Sequence, residues 1–189
     1  PVVNLGHISF TGSFRGLYNS FETKGFFSTE AGVIETQTSL KIGKQLEYAG
    51  YIKSPDVNIG QIVKESPLRK SGIDLTFSGS DVDLKDLVMD VQGTLYQAEI
   101  IDKTYDKIDL SAQISYQLLA LKGHINDSDA VLHYDTEVDW SQQMPHYRLR
   151  ADVSLLDLKA FGLIRQDSIL MKNGALLADF TGDGLNNLV

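Results

Sequence analysis

The stretch FTGSFRGLYNSFETKGFF, Phe10 to Phe27, decides how the rest of the chain is read. Phe10, Gly12, Phe14 and Gly16 fall on alternate positions, with Thr11, Ser13 and Arg15 between them. Strict alternation is the period of an extended strand, whose successive side chains point to opposite faces. Glycine alternating with phenylalanine on one face is unusual, because glycine weakens a strand and marks a bend or a close backbone approach. The stretch closes on Gly25-Phe26-Phe27, and its opening recurs as Phe77-Ser78-Gly79 and Phe180-Thr181-Gly182. Shuffling would produce roughly 0.1 such tripeptides, so internal repeats are expected, starting near residues 10, 77 and 180.

The alternation continues outward. Ile34, Thr36, Thr38, Leu40 and Ile42 alternate with Glu35, Gln37, Ser39 and Lys41, and Leu46, Tyr48, Gly50 and Ile52 follow after a Gly-Lys turn. The same period runs through Ile73 to Gly79, Leu87 to Leu95, Ile108 to Tyr116, Leu119 to Ile125, Ala130 to Val138 and Tyr147 to Val153. Short strands separated by Gly, Asn or Lys turns predict an antiparallel meander of about a dozen strands. Asp56-Val57-Asn58-Ile59 and its echo Asp152-Val153-Ser154-Leu155 have apolar spacing that suits a short helix, with Asp56 as N-cap. A third copy, Asp81-Val82-Asp83-Leu84, reads as a strand-turn-strand corner. The expected fold class is all-β: one long, curved, mostly antiparallel sheet with one or two very short helices. Gly12, Gly16, Gly50, Gly79, Gly93 and Gly123 share the apolar parity, where gaps let a sheet bend and curl.

Composition narrows the function. With 42% hydrophobic and 22% charged residues the chain reads as folded, and no apolar run approaches the roughly 18 residues of a membrane helix. The net charge of −8 and the lack of any basic run beyond Arg69-Lys70 argue against nucleic acid. The absence of cysteine removes disulfides, thiol catalysis and thiolate metal sites. The chain starts at Pro1 in mid-pattern and stops at Val189 after a third repeat has opened, so residues 1–189 read as a single fragment of a larger repeat protein.

Candidate chemical sites are weak. Asp81, Asp83, Asp86 and Asp90 lack calcium-loop spacing and read as a solvated corner. Asn126-Asp127-Ser128-Asp129 reads as a turn, since these side chains bond their own backbone. His7, His124, His133 and His146 show no metal-ligand spacing, and there is neither a nucleophile elbow nor a phosphate loop. Trp140 with Tyr134 and Tyr147 could form a sugar platform or an ordinary set of cross-strand aromatics. No enzyme, metal or cofactor is expected.

What remains is the apolar face. Phe10, Phe14, Ile34, Leu40, Ile52, Phe77, Leu95, Ile114, Leu121, Leu132 and Leu149 lie on one parity. The pattern by itself suits the dry core of a sandwich as well as an open trough.

Phe10-Thr11-Gly12 with Gly16-Leu17-Tyr18-Asn19 and Gly25-Phe26, then Phe77-Ser78-Gly79 with Leu84-Lys85-Asp86-Leu87 and Gly93-Thr94-Leu95, resemble the TamB and wider AsmA-like family. Tyr48-Ala49-Gly50-Tyr51-Ile52 through Asp56-Val57-Asn58-Ile59-Gly60 is similar to its Bacteroidetes type. The resemblance spans the chain as a periodic texture and brings no catalytic residue with it. It implies a segment of a periplasmic protein of Gram-negative bacteria, anchored in the inner membrane near its N-terminus. It further implies a taco-shaped sheet whose groove takes phospholipid acyl chains or unfolded strands of outer-membrane β-barrels, and an outer-membrane TamA-like (Omp85-type) partner. The alternative from another class is a closed β-sandwich adhesin or carbohydrate-binding module.

Overall fold

The computed structural model describes residues 6–62, 66, 68–81, 83, 85–100, 103–160 and 169–182. Eleven strands follow one another: β1 (Ser9–Leu17), β2 (Ser20–Thr29), β3 (Gly32–Ile42), β4 (Leu46–Asn58), β5 (Leu68–Ser80), β6 (Val88–Ile100), β7 (Lys103–Ser115), β8 (Leu118–Asn126), β9 (Ala130–Asp139), β10 (His146–Asp157) and β11 (Leu170–Thr181). A single helical turn, α1 (Ile59–Ile62), joins β4 to β5. Each strand pairs antiparallel with its sequence neighbours, giving one meander in the order β1 to β11. The sheet curves without closing, so among the described residues β1 and β11 each keep one unpaired edge. The strands form one continuous sheet, not the two facing sheets of a sandwich.

The register explains why alternation yields this fold. Directly opposed residues share a face, so each apolar position finds another beside it and rows run across the strands. One row runs Gly16, Phe21, Leu40, Tyr48, Gly79, Met89, Ile114, Leu119, Val138, Tyr147 and Phe180. Six residues further along each strand, Phe10, Phe27 and Ile34 on β1 to β3, and Ser54, Ile73, Leu95, Ile108, Ile125, Leu132, Val153 and Gly174 on β4 to β11, form a parallel row, interrupted between β3 and β4 by a register shift. The intervening side chains, such as Glu35, Lys53, Asp74, Lys122, Asp135 and Arg148, occupy the opposite, polar face.

A crease crosses the sheet just beyond the Phe10-to-Gly174 row. There several strands break parity, and residues three apart become buried together: Ser54 and Val57, Leu95 and Ala98, Tyr105 and Ile108, Val153 and Leu156. Register shifts accompany the break between Ser54 and Val57, between Lys70 and Gly72 opposite Glu99 and Tyr96, and between Val153 and Leu155. Gln97 and Asn173 adopt φ of 47° and 50° at this line, the left-handed region. Bulges bend a strand and raise its twist, so a line of them turns the strand ends over the apolar face. Val57, Ile73, Leu95, Ala98, Tyr105, Ile108, Ile125, Ala130, Leu132, Ala151, Val153 and Leu156 form the resulting core, with Ile59 and Ile62 of α1 packed against it.

Three sequence expectations are corrected by this crease. The segment from Asp152 is strand to Asp157 and not a short helix: a bulge at Ser154 puts Val153 and Leu156 on one side, which imitates helical spacing. Around Asp56 the strand also persists, to Asn58, and the helical turn begins only at Ile59. The cap is accordingly Asn58, whose Oδ1 accepts the Gln61 amide at 3.1 Å, and not Asp56. β11 was not anticipated as a strand beyond Phe180-Thr181. By contrast, Lys85 and Asp86 lie in a turn, across which the Leu87 amide donates to the Asp83 carbonyl at 2.9 Å; Val82 and Leu84 lie outside the described residues.

Candidate functional site

The apolar face is the candidate site, and its burial is graded. Near the crease it is closed: Leu95 and Leu132 belong to the packed core, Leu132 with 4% of its surface exposed. Away from the crease it is half-open: Leu40, Phe77, Ile114 and Leu121 are half-buried, with no second layer over them among the described residues. Ile34 and Ile52 are half-buried against the core. Phe10 packs its ring 4.8 Å from that of Phe27, while Phe14 beside it is 69% exposed on the edge strand, and Leu149 is likewise exposed. All eleven predicted positions thus share one face, but they divide between a dry end and an accessible one.

The glycines on this face make room for neighbours. A side chain at Gly79 would meet the Tyr48 ring at 2.8 Å, and one at Gly12 the Phe10 ring at 2.6 Å. Gly123 lies under the Tyr134 ring and Gly50 against the Gln37 carbonyl. Gly16 and Gly93 have φ of 132° and 149°, which a Cβ would strain. The three Phe-Ser/Thr-Gly tripeptides fall on β1, β5 and β11, in different rows.

Tyr48, Tyr105 and Tyr134 project from the apolar face, and burial pushes each phenol up, Tyr134 to about 12 with a further contribution from the Asp109 charge. Thr36 donates to the Tyr51 carbonyl at 2.9 Å and lies 3.1 Å from the Thr38 hydroxyl. No buried side-chain polar atom among the described residues lacks a partner, so none is left waiting for a polar ligand. The face can bury apolar surface, and its polar groups named here are hydroxyls, those of Thr36, Thr38, Tyr48, Tyr105 and Tyr134.

On the polar face, charges pair across strands: Lys41 with Glu47 at 3.2 Å, Lys53 with Asp74 at 2.9 Å, Lys122 with Asp135 at 3.0 Å, and Arg148 with Glu137. Such exposed pairs contribute about 0–1 kcal/mol each. His124 and His133 stack at 4.3 Å between ring centroids, a contact missed in the sequence but implied by a hairpin centred on Ser128-Asp129. Among the described residues no three His, Asp or Glu side chains gather as a metal site. Asn126 to Asp129 is a tight connection, Asp127 and Ala130 exchanging backbone bonds at 2.8 and 3.4 Å. Trp140 is exposed beyond the end of β9, Tyr134 lies over Gly123, and Tyr147 stacks on Phe180 at 5.0 Å.

Together these features define a class, the single-layer antiparallel sheet creased along one side and open along the other. No protein-family model matches the chain, and neither curated proteins nor solved structures give a significant match.

Proposed function

We propose that this chain is a non-enzymatic carrier segment, whose half-open apolar face shelters lipid acyl chains or an extended apolar strand of a client protein. The observation that carries this reading is the apolar face itself, which runs across all eleven strands and, among the described residues, is uncovered on its open side. Ten inter-strand steps of about 4.8 Å make it roughly 48 Å long. Burying one large apolar side chain is worth about 1.5–3 kcal/mol, so even partial covering of Phe77, Ile114 and Leu121 would bind a chain-like ligand with useful strength.

The resemblance of Phe10 to Phe27 and Phe77 to Leu95 to TamB and AsmA-like proteins supports the more specific reading. On it, the chain is one stretch of a periplasm-spanning conduit for phospholipid or for outer-membrane β-barrel precursors, working with an outer-membrane TamA-like partner. Ile114→Asp places a charge on the open part of the face. It is expected to leave the fold intact and to reduce transfer of fluorescent phospholipid between vesicles at least tenfold, the scale of about 1.4 kcal/mol. Undiminished transfer by a folded Ile114→Asp protein would refute the groove as the path.

A further inference from the structure

We propose that His124 and His133 form a two-imidazole site for a divalent transition-metal ion, on the polar face of the β8–β9 hairpin. The two residues are directly opposed in register, and their rings lie 4.3 Å apart between centroids and within 19° of parallel. Opposed residues of an antiparallel pair share a face at the closest approach two strands offer. The backbone beneath them is fixed from the other side, where the adjacent pair Ile125 and Leu132 is buried in the core. The pair therefore stands on rigid strands and not on a loop, which is what holds two ligands in place.

The imidazole nitrogens are available. Among the described residues neither ring has a hydrogen-bond partner, whereas His146 is taken by Asp179 at 2.6 Å. The charges around the pair neutralise one another. Asp109 is held by Thr94 at 2.7 Å and Lys107 at 2.9 Å, Lys122 pairs with Asp135 at 3.0 Å, and Arg150 lies 3.6 Å from Asp152. A dication thus meets no unpaired cation there. The same pairings occupy the carboxylates, so the ion has two protein ligands and water in its other positions, consistent with the lack of a three-residue cluster among the described residues. Neutral imidazole suits Zn2+, Ni2+ and Cu2+, while Mg2+ and Ca2+ take oxygen. Two nitrogens at about 2.0–2.1 Å from one ion sit roughly 3–3.4 Å apart, so the rings must tilt toward each other by about 1 Å. His133 is exposed and His124 half-buried, which leaves room for that movement. An ion so held links β8 to β9 from the polar side. This inference does not depend on what the apolar face binds.

The test uses the whole chain, Zn2+ as the probe and a buffer that does not bind metal. Isothermal titration is expected to show a single Zn2+ bound per chain, with binding that falls on acidification because protons compete for the same nitrogens. His124→Ala and His133→Ala each remove one arm of the chelate and should weaken binding by about tenfold or more. His146→Ala should bind as wild type does. A ligand that binds only the folded chain raises its melting temperature, so Zn2+ should raise the wild-type melt and leave the His124→Ala and His133→Ala melts where they are. On the wild-type chain, which needs no substitution, Zn2+ should also shield His124 and His133, but not His7, from carbethoxylation by diethyl pyrocarbonate. A wild-type chain that takes up no Zn2+, binding that survives in both alanine variants, or carbethoxylation of the pair unchanged by Zn2+ would each overturn the proposal.

Discussion

Asp127 shows how one side chain sustains the crease. Its carboxylate, 8% exposed, accepts the Asp106 amide at 3.0 Å and the Ser128 hydroxyl at 3.1 Å, with the Lys103 ammonium at 4.0 Å. The Asp106 amide lies where β7 breaks parity between Tyr105 and Ile108, so this bond serves a donor at the break. Burial raises the Asp127 pKa, but the amide, the hydroxyl and Lys103 together hold it below the ordinary 3.8. A depressed folded pKa stabilises above the unfolded value and ceases to as pH falls through the folded one. Asp127→Ala should cost about 1–3 kcal/mol in urea unfolding at pH 7. It should also flatten the loss of stability on acidification below pH 3.8. An unchanged acid limb would remove Asp127 from this role.

At the scale of the element, the same core-facing residue type behaves oppositely on either side of the crease. Leu132 in β9 is in the packed core, whereas Ile114 in β7 lies on the open part. Leu132→Arg leaves a buried charge without a partner and should cost more than about 3 kcal/mol, unfolding the chain in a thermal melt. Ile114→Asp should melt close to wild type, and equal melting of the two variants would contradict the graded burial. Strand identity was legible because alternation runs through β3, β9 and β7 from Ile108 onward, and the charged residues there, such as Glu35, Asp109 and Asp135, fall on the polar face. β11 was hidden, since Asn173 breaks the parity and Ala175-Leu176-Leu177-Ala178 reads as an unbroken apolar run. Bulges explain the mistaken helix at Asp152, where Val153 and Leu156 pair with Leu132 and Ala130 of a neighbouring strand. Periodicity counts residues, and a bulge changes the count without changing the structure class. The apolar face of the candidate site was readable from parity. Its division into closed and open parts was not, because that depends on where strands bend.

For the whole molecule, curvature reconciles an apolar face with one layer of sheet. A flat sheet would leave its large side chains uncovered, at a cost comparable to a domain's net stability of about 5–15 kcal/mol. Folding over at the crease buries the row from Ile73 to Val153 and leaves the distant rows as a half-pipe. Among the described residues β1 and β11 are the two edge strands of this curled sheet. The measurement that tests this account most directly is native mass spectrometry of the purified chain, with extraction and identification of whatever apolar molecule stays bound. The account predicts lipid or apolar peptide held in defined stoichiometry and lost from the Ile114→Asp variant. A wild-type chain that remains folded and empty after exposure to phospholipid vesicles and to unfolded outer-membrane β-barrel protein would contradict it.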